Sequence, residues 1–240
     1  ADLPRRITTA DFSGSLKAGT TGVRFAAGAV KAGLAKQILV TAADCRQGPP
    51  LSAFDRSFGD GAAALLIGDS KVIASLEASY SISDEIMDVW RADGELYNRT
   101  THDRFIETEG YSTVISEAIS GLLKENNLTP KDFAKVAVYM PNARRGAEVC
   151  RSLGFDAKTQ LQDGLLDAVG NTGVPYPLML FVSALESAKP GDLILLASYG
   201  DGSDAFAFRV TDQIKEVQQN TLRRGTKKHL EPKKVITDYK

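Results

Sequence analysis

The chain has 240 residues, 43% hydrophobic and 25% charged, with 29 Lys+Arg against 30 Asp+Glu. That is enough apolar material for a buried core in one large or two small domains, and it excludes a disordered acidic chain. No apolar run approaches the roughly 18 residues of a membrane-spanning helix, and the N-terminal ADLPRRITTADF lacks a signal-peptide layout. Two cysteines, Cys45 and Cys150, make neither a disulfide framework nor a four-ligand zinc site. No metal and a reducing, cytoplasmic setting are therefore expected. Residues 215–240 carry 8 Lys+Arg and 3 acids, leaving 21 against 27 elsewhere. A basic tail on an acidic body is not the charge layout of a nucleic-acid binder.

Ser15 to Lys31 (SLKAGTTGVRFAAGAVK) predicts a helix, with Val23, Ala26, Ala27 and Val30 at helical spacing and Ser13, Ser15 or Thr20 as its cap. Gly33 stops it, and Gln37 to Ala42 predicts a fully buried strand. A loop with Gly48-Pro49-Pro50 leads to Phe58-Gly59-Asp60-Gly61 and a strand from Ala62 to Ile67. Asp88 to Phe105 reads as a polar, aromatic excursion loop, and Tyr111 to Leu123 as a helix with apolar spacing of three and four. Thr129-Pro130-Lys131-Asp132 is a helix-start signal, Lys135 to Tyr139 a strand, Met140-Pro141-Asn142 its stop, and Arg145 to Leu153 a short helix. Gly170-Asn171-Thr172-Gly173 then leads into a helix from Pro175 to Ala188, a buried strand from Leu193 to Ser198, the turn Tyr199-Gly200-Asp201-Gly202, and a last strand from Ala205 to Val210.

Helix, glycine stop, buried strand, aromatic-Gly-Asp-Gly turn, strand: this order occurs twice, with the turns 141 positions apart. Gly-Asp-Gly alone is a common turn signal. The matching order around it points to a duplicated domain, in which the two strands and the turns after them should be equivalent. Alternation of strands and helices implies a mixed sheet covered on both faces.

Gly14-Ser15-Leu16-Lys17-Ala18-Gly19-Thr20 resembles the nucleophile turn of the hydroxymethylglutaryl-CoA synthases, members of the thiolase superfamily beside the type III ketoacyl synthases. Ala43-Asp44-Cys45-Arg46, Phe58-Gly59-Asp60-Gly61-Ala62-Ala63-Ala64, Asp88-Val89-Trp90-Arg91, Val138-Tyr139-Met140-Pro141-Asn142, Gly170-Asn171-Thr172, Lys189-Pro190-Gly191-Asp192 and Ser203-Asp204-Ala205-Phe206 follow in the family's order. The resemblance implies an α/β, thiolase-type five-layer αβαβα fold with duplicated halves. Residues 1–107 would be the remainder of the first half with its excursion loop, 108–212 the second half, and 213–240 a basic tail. It also implies that the first half is incomplete before the nucleophile turn, and that Val235 to Lys240 begins a motif cut short.

In such enzymes a helix N-terminus stabilises a thiolate and the later oxyanion, a histidine activates the nucleophile, and an asparagine orients or polarises. Alignment on Ala18-Gly19-Thr20 puts Leu16 at the cysteine position, and alignment on Pro141-Asn142 puts Tyr139 at the histidine position. Leucine cannot carry an acyl group, which excludes covalent catalysis there. Asn171 remains, giving a degenerate site in which Leu16 at the nucleophile position, Asn171 and Tyr139 bound a small pocket, more apolar than the family's and without a base. Ser15 is a weak substitute nucleophile, better suited to capping the helix. Cys45 and Cys150 read as inert small hydrophobes, and His102 and His229 as solvated surface residues. Arg144, with Lys17 and Arg145, is a candidate for coenzyme A phosphate. Gly200 and Gly202 are further candidates for binding substrate, in a turn that looks two residues shorter than the family's oxyanion turn.

The function implied is an acyl-CoA-binding, hydroxymethylglutaryl-CoA synthase-like subunit of an acyl-condensing or acyl-transfer assembly, with a coenzyme A thioester as substrate or ligand and no covalently bound cofactor. Its implied partners are a second copy or another thiolase-like subunit, and a zinc-ribbon and OB-fold companion protein or module. The alternative is an active acyltransferase or carbon–carbon lyase working non-covalently through Asn171 and Tyr139. A role for the basic tail on RNA or membrane is weaker, because no aromatics interleave its charges.

Overall fold

A computed structural model describes residues 5–220 and 225–231. The elements are α1 (Ala18–Lys31), β1 (Gln37–Asp44), α2 (Ala53–Ser57), β2 (Gly61–Gly68), β3 (Ala74–Ser83), β4 (Val89–Trp90), β5 (Arg99–Thr100) and α3 (Asp103–Phe105). A π-helical turn (Ile106–Ser112) runs into α4 (Thr113–Glu125), and a 3-10 turn (Pro130–Asp132) into β6 (Phe133–Val138). Then come α5 (Ala143–Ser152), α6 (Leu166–Val169), α7 (Tyr176–Ser187), β7 (Leu193–Tyr199), β8 (Gly202–Val210), α8 (Ile214–Gln219) and α9 (Thr226–Leu230).

One sheet has the order β3-β8-β7-β6, with β6 and β7 parallel and the other pairs antiparallel; β1 and β2 form a separate antiparallel pair. Helix α7 packs on β2 on one side and on β6 and β7 on the other, α1 packs on β1 and β2, and α4 covers β8, β3 and β7. The resulting layers are the β1–β2 pair, α1 with α7, the four-stranded sheet, and α4. Every residue of β7 is buried, which its unbroken apolar run dictates once strands lie on both edges and helices on both faces.

The first hairpin differs from expectation. β1 stands at the predicted place, but its burial alternates, and the cross-strand partners Leu39 and Leu66 are 57% and 63% exposed. No described layer covers that side of the pair. Strand β3 was not anticipated: Ala74–Ser83 is rich in small and polar residues. It falls inside the expected first half, yet its hydrogen-bonding partner is β8. The two Gly-Asp-Gly turns are also built differently. Gly61 opens β2 as Gly202 opens β8, but φ is positive at Gly200, Asp201 and Gly202 and at none of residues 59–61. The first turn ends a long connection containing α2; the second is a tight reversal between adjacent strands.

The excursion segment contains the β4–β5 ribbon. Beyond β8, α8 docks through buried Ile214, and the Gln218 side-chain amide donates to the carbonyls of Leu185 (3.1 Å) and Ala188 (2.9 Å) at the end of α7. The expected motif at Val235 to Lys240 lies outside the described residues. Among the described residues no helix is long and apolar enough to cross a membrane, and no cluster of His, Cys, Asp and Glu could hold a metal.

Candidate functional site

Helix α1 begins at Ala18, three residues later than predicted, so Leu16 and Lys17 occupy the turn leading into it. Ser15 is not its N-cap. Its hydroxyl donates to the Gly200 carbonyl (2.8 Å) and accepts from the Lys17 N–H (3.2 Å), tying this turn to the second half of the chain. The approach is close enough to require glycine. A Cβ on Gly200 would lie 2.7 Å from Leu16 N and 2.8 Å from Lys17 N, and its φ of 151° is one that side chains rarely adopt.

The N-terminus of α1 rests on a buried carboxylate. Asp204, 1% exposed, accepts from the hydroxyls of Thr20 (2.9 Å), Thr21 (3.3 Å) and Ser81, and pairs with the Lys17 ammonium at 3.5 Å. Thr20 Oγ1 and Ser198 Oγ lie 2.5 Å apart. Because Thr20 has one hydroxyl hydrogen and spends it on Asp204, Ser198 is the donor in that pair. Lys17 therefore turns inward onto Asp204, away from the phosphate role its position suggested.

Asn171 is positioned by both halves. Gly170 (φ 73°) turns the chain after α6, the Asn171 N–H donates to the Ser57 carbonyl (2.7 Å), and its carbonyl accepts from the Gly59 N–H (3.2 Å). The side chain is 3% exposed. Its Oδ1 accepts from Arg46 Nη1 (2.9 Å) and from the Gly173 N–H (3.0 Å), and its Nδ2 donates to Tyr139 Oη (3.0 Å). Tyr139 follows β6, continues its ladder by donating its N–H to the Ala197 carbonyl (2.8 Å), and receives Tyr111 Oη on its own carbonyl (2.8 Å). The rings of Tyr111, Tyr176 and Tyr199 surround it at 6.1, 5.8 and 6.2 Å.

Sequence reasoning expects Leu16, Asn171 and Tyr139 to bound one pocket; the structure joins Asn171 to Tyr139 by a hydrogen bond and sets Leu16 against Gly200, next to the cluster's Tyr199. Sequence reasoning missed Arg46. Arg46 is 6% exposed, and its guanidinium stacks 3.7 Å over the Phe58 ring and bonds Asn171, adding a buried cation to a pocket expected to be more apolar than the family's. Its signal lay in the segment Ala43-Asp44-Cys45-Arg46 after the first strand, which marks the stretch but not the arginine's place in the site. Burial pushes the Tyr139 phenol above its ordinary value, opposed first by Arg46. It remains protonated at neutral pH and is a hydrogen-bond donor rather than a base.

The remaining candidates are scattered. Arg144, its side chain 71% exposed, stands near the start of α5 with Glu148 at 3.7 Å. Arg145 is held by Glu107 (2.8 Å) and Glu148 (2.9 Å). Asn142 caps α5, accepting from the Arg145 N–H at 3.0 Å. Cys150 is buried, and burial pushes its thiol up to about 12, leaving no thiolate at neutral pH. Cys45, one residue past the end of β1, is exposed, against expectation. His102 and His229 are exposed, as expected.

No protein-family profile matches the chain. It is 39% identical over 215 residues to the hydroxymethylglutaryl-CoA synthase of Methanopyrus kandleri, covering 89% of this chain and 61% of that protein. To that of Methanocaldococcus jannaschii it is 36% identical over 244 residues, covering 99% and 68%. The chain therefore spans about two thirds of these relatives' length. Among solved structures it is similar to PksG, a hydroxymethylglutaryl-CoA synthase from Bacillus subtilis (TM-score 0.77, 20% identity, 90% of this chain and 58% of that one). It is also similar to 3-oxoacyl-[acyl-carrier-protein] synthase III from Aquifex aeolicus (TM-score 0.74, 20% identity, 85% and 68%). These likenesses establish the thiolase fold.

Proposed function

The chain belongs to the hydroxymethylglutaryl-CoA synthase family, and from that premise we propose that it binds coenzyme A thioesters within an acyl-condensing or acyl-transferring assembly without forming an acyl-enzyme itself. One observation carries this reading. The turn before α1 presents Leu16, with no lone pair, and the group facing Asn171 is a protonated phenol, Tyr139, in place of a base. Neither cysteine substitutes: Cys150 is buried with a raised pKa, and Cys45 lies in the exposed loop after β1. Ser15 donates its hydroxyl to the Gly200 carbonyl and has no base beside it in that bond.

A hydroxymethylglutaryl-CoA synthase solved in complex with CoA shares the fold at TM-score 0.73, which supports coenzyme A or a derivative of it as ligand. Of the three phosphate candidates, Arg144 is the most exposed, its side chain at 71% against 16% for Lys17 and 19% for Arg145. The working cysteine would come from a partner, either another thiolase-like subunit or an assembly that includes a zinc-ribbon and OB-fold companion, and the open β1–β2 face supports self-association or pairing of this kind. The non-covalent enzyme reading is weaker, because Asn171 spends its Oδ1 on Arg46 and Gly173 and a hydrogen of Nδ2 on Tyr139.

Titration of the protein with acetyl-CoA, followed by intact mass measurement, tests this. Binding without an adduct is expected, and Leu16→Cys with Tyr139→His should gain an adduct. An acyl group on Ser15 of the unmutated protein would overturn the reading.

A further inference from the structure

The residues that would meet an acyl group are packed against one another. Tyr139, Asn171, Tyr199 and Arg46 are all buried, and Arg46 is gripped along its length. Gly173 leaves room for its stem, since a Cβ on that residue would lie 2.7 Å from Arg46 Cδ. The guanidinium lies 3.7 Å over the Phe58 ring, Nη1 donates to Asn171 Oδ1 at 2.9 Å, and the group also bonds the Tyr139 side chain. The charges of Arg46 and Asp88 act on that phenol in opposite directions, so a cation and an anion stand in one cluster.

Among the described residues, two buried side-chain polar atoms have no hydrogen-bond partner, Nη2 of Arg46 and Oη of Tyr199. Neither touches space that a water molecule could enter, and the backbone of Gly110 backs directly onto the Tyr199 hydroxyl. An unpaired polar atom in a dry, filled space is costly and seldom found. A single water would relieve it, yet a water needs an opening of roughly 10–15 Å³. The cluster is therefore filled too tightly for water beside Nη2, and an acyl chain is larger than water. The side chain that does the filling is Arg46. Truncating it at Cβ would remove from the middle of the cluster a group about as large as a butanoyl chain.

We propose that Arg46 is a built-in plug that sets the specificity of the site. Its side chain fills the space beside Asn171 and Tyr139 that the acyl group of a thioester would take. The protein accordingly recognises the coenzyme A portion of a thioester and not its acyl group. This rests on the reading of the chain as a binder of coenzyme A thioesters.

Isothermal titration of the intact protein with coenzyme A, acetyl-CoA and butanoyl-CoA tests it. The three affinities should agree within about threefold. In Arg46→Ala, butanoyl-CoA should bind on the order of tenfold more tightly than coenzyme A, the gain from burying about two methylene groups. Arg46→Met, which fills most of the same space without hydrogen bonds, should gain less. A larger preference for butanoyl-CoA in the unmutated protein, none in a folded Arg46→Ala, or an equal one in Arg46→Met would overturn the plug while leaving coenzyme A binding intact. Methylguanidinium, which matches the removed group, covers the remaining cases. If none of the three ligands binds, the thioester reading fails, but methylguanidinium should still raise the melting temperature of Arg46→Ala above a sodium chloride control of equal ionic strength. If Arg46→Ala does not fold, methylguanidinium should restore its folding. No effect on the variant, or an equal effect on the unmutated protein, would overturn the proposal.

Discussion

The hairpins β1–β2 and β7–β8 are written in the same grammar and live in opposite environments. Each follows a helix packed against it and opens its second strand on a glycine. Yet β7 is buried at all seven positions, while β1 is exposed at every second residue or so. The difference lies in the neighbours. β7 has β6 and β8 on its edges, α7 on one face and α4 on the other. The β1–β2 pair has described cover on one side only. An apolar run therefore encodes a capacity for burial, which only the rest of the assembly realises.

The sharpest way to break this comparison is one substitution made in both hairpins. Leu195→Asp puts a carboxylate at a position that is 0% exposed, and should cost more than about 4 kcal/mol, enough to unfold the chain. Leu39→Asp, at a position 57% exposed, should change monomer stability by no more than about 0.5 kcal/mol. Denaturant melts measure both. If copies pair through this face, the same Leu39→Asp variant should shift sedimentation from dimer to monomer. A large loss of monomer stability in Leu39→Asp would show that the face is covered within one chain.

A second contrast lies at the third residue of each second strand, Ala63 in β2 and Asp204 in β8. Asp204 is the buried acceptor on which the first turn of α1 is organised, whereas Ala63 contributes no polar atom. Asp204→Ala leaves the Lys17 ammonium and the hydroxyls of Thr20 and Ser81 facing an apolar gap. A loss of about 3–5 kcal/mol is expected, the usual result of removing one partner from a buried ion pair. Thermal unfolding measures it, and Asp204→Asn should recover part by keeping an acceptor. A loss below about 1 kcal/mol would mean that α1 is held by packing alone.

How much of this was legible depended on range. Helix α7 and strand β7 read cleanly, since Pro175 and Gly191 bracket them and their apolar runs need no further information. β1 was found in the right place but assigned the wrong burial, because burial is set by strands and helices distant in sequence. β3 was missed: what makes Ala74–Ser83 a strand is its ladder with β8, more than a hundred residues on. In the site, Asn171 and Tyr139 could be found because they sit in motifs. Arg46 could not. Its burial is created by Phe58 and by Asn171, 125 positions away, and a lone arginine after a strand normally points to solvent.

The smallest expected effect separates the two Gly-Asp-Gly turns. Asp60 is exposed with ordinary backbone, and its Oδ1 accepts from the Arg46 N–H. Asp201 sits in the left-handed region at φ 46°, partly buried, and burial raises its carboxyl pKa, offset in part by the Ser15 hydroxyl and the Lys17 ammonium. A carboxyl whose folded pKa exceeds its unfolded value binds more protons in the native state, so its contribution to stability falls as pH rises through that interval. Below the unfolded value, about 3.9 for aspartate, both states are protonated and the penalty vanishes. Asp201→Asn removes the charge, and asparagine tolerates the left-handed backbone. The variant should therefore exceed the parent near pH 7 by up to about 0.5 kcal/mol, a rise of roughly one to two degrees in melting temperature. That advantage should shrink as pH drops through the carboxylate range. An advantage that grew on acidification would mean that the carboxylate is stabilised by Ser15 and Lys17 more than it is penalised by burial.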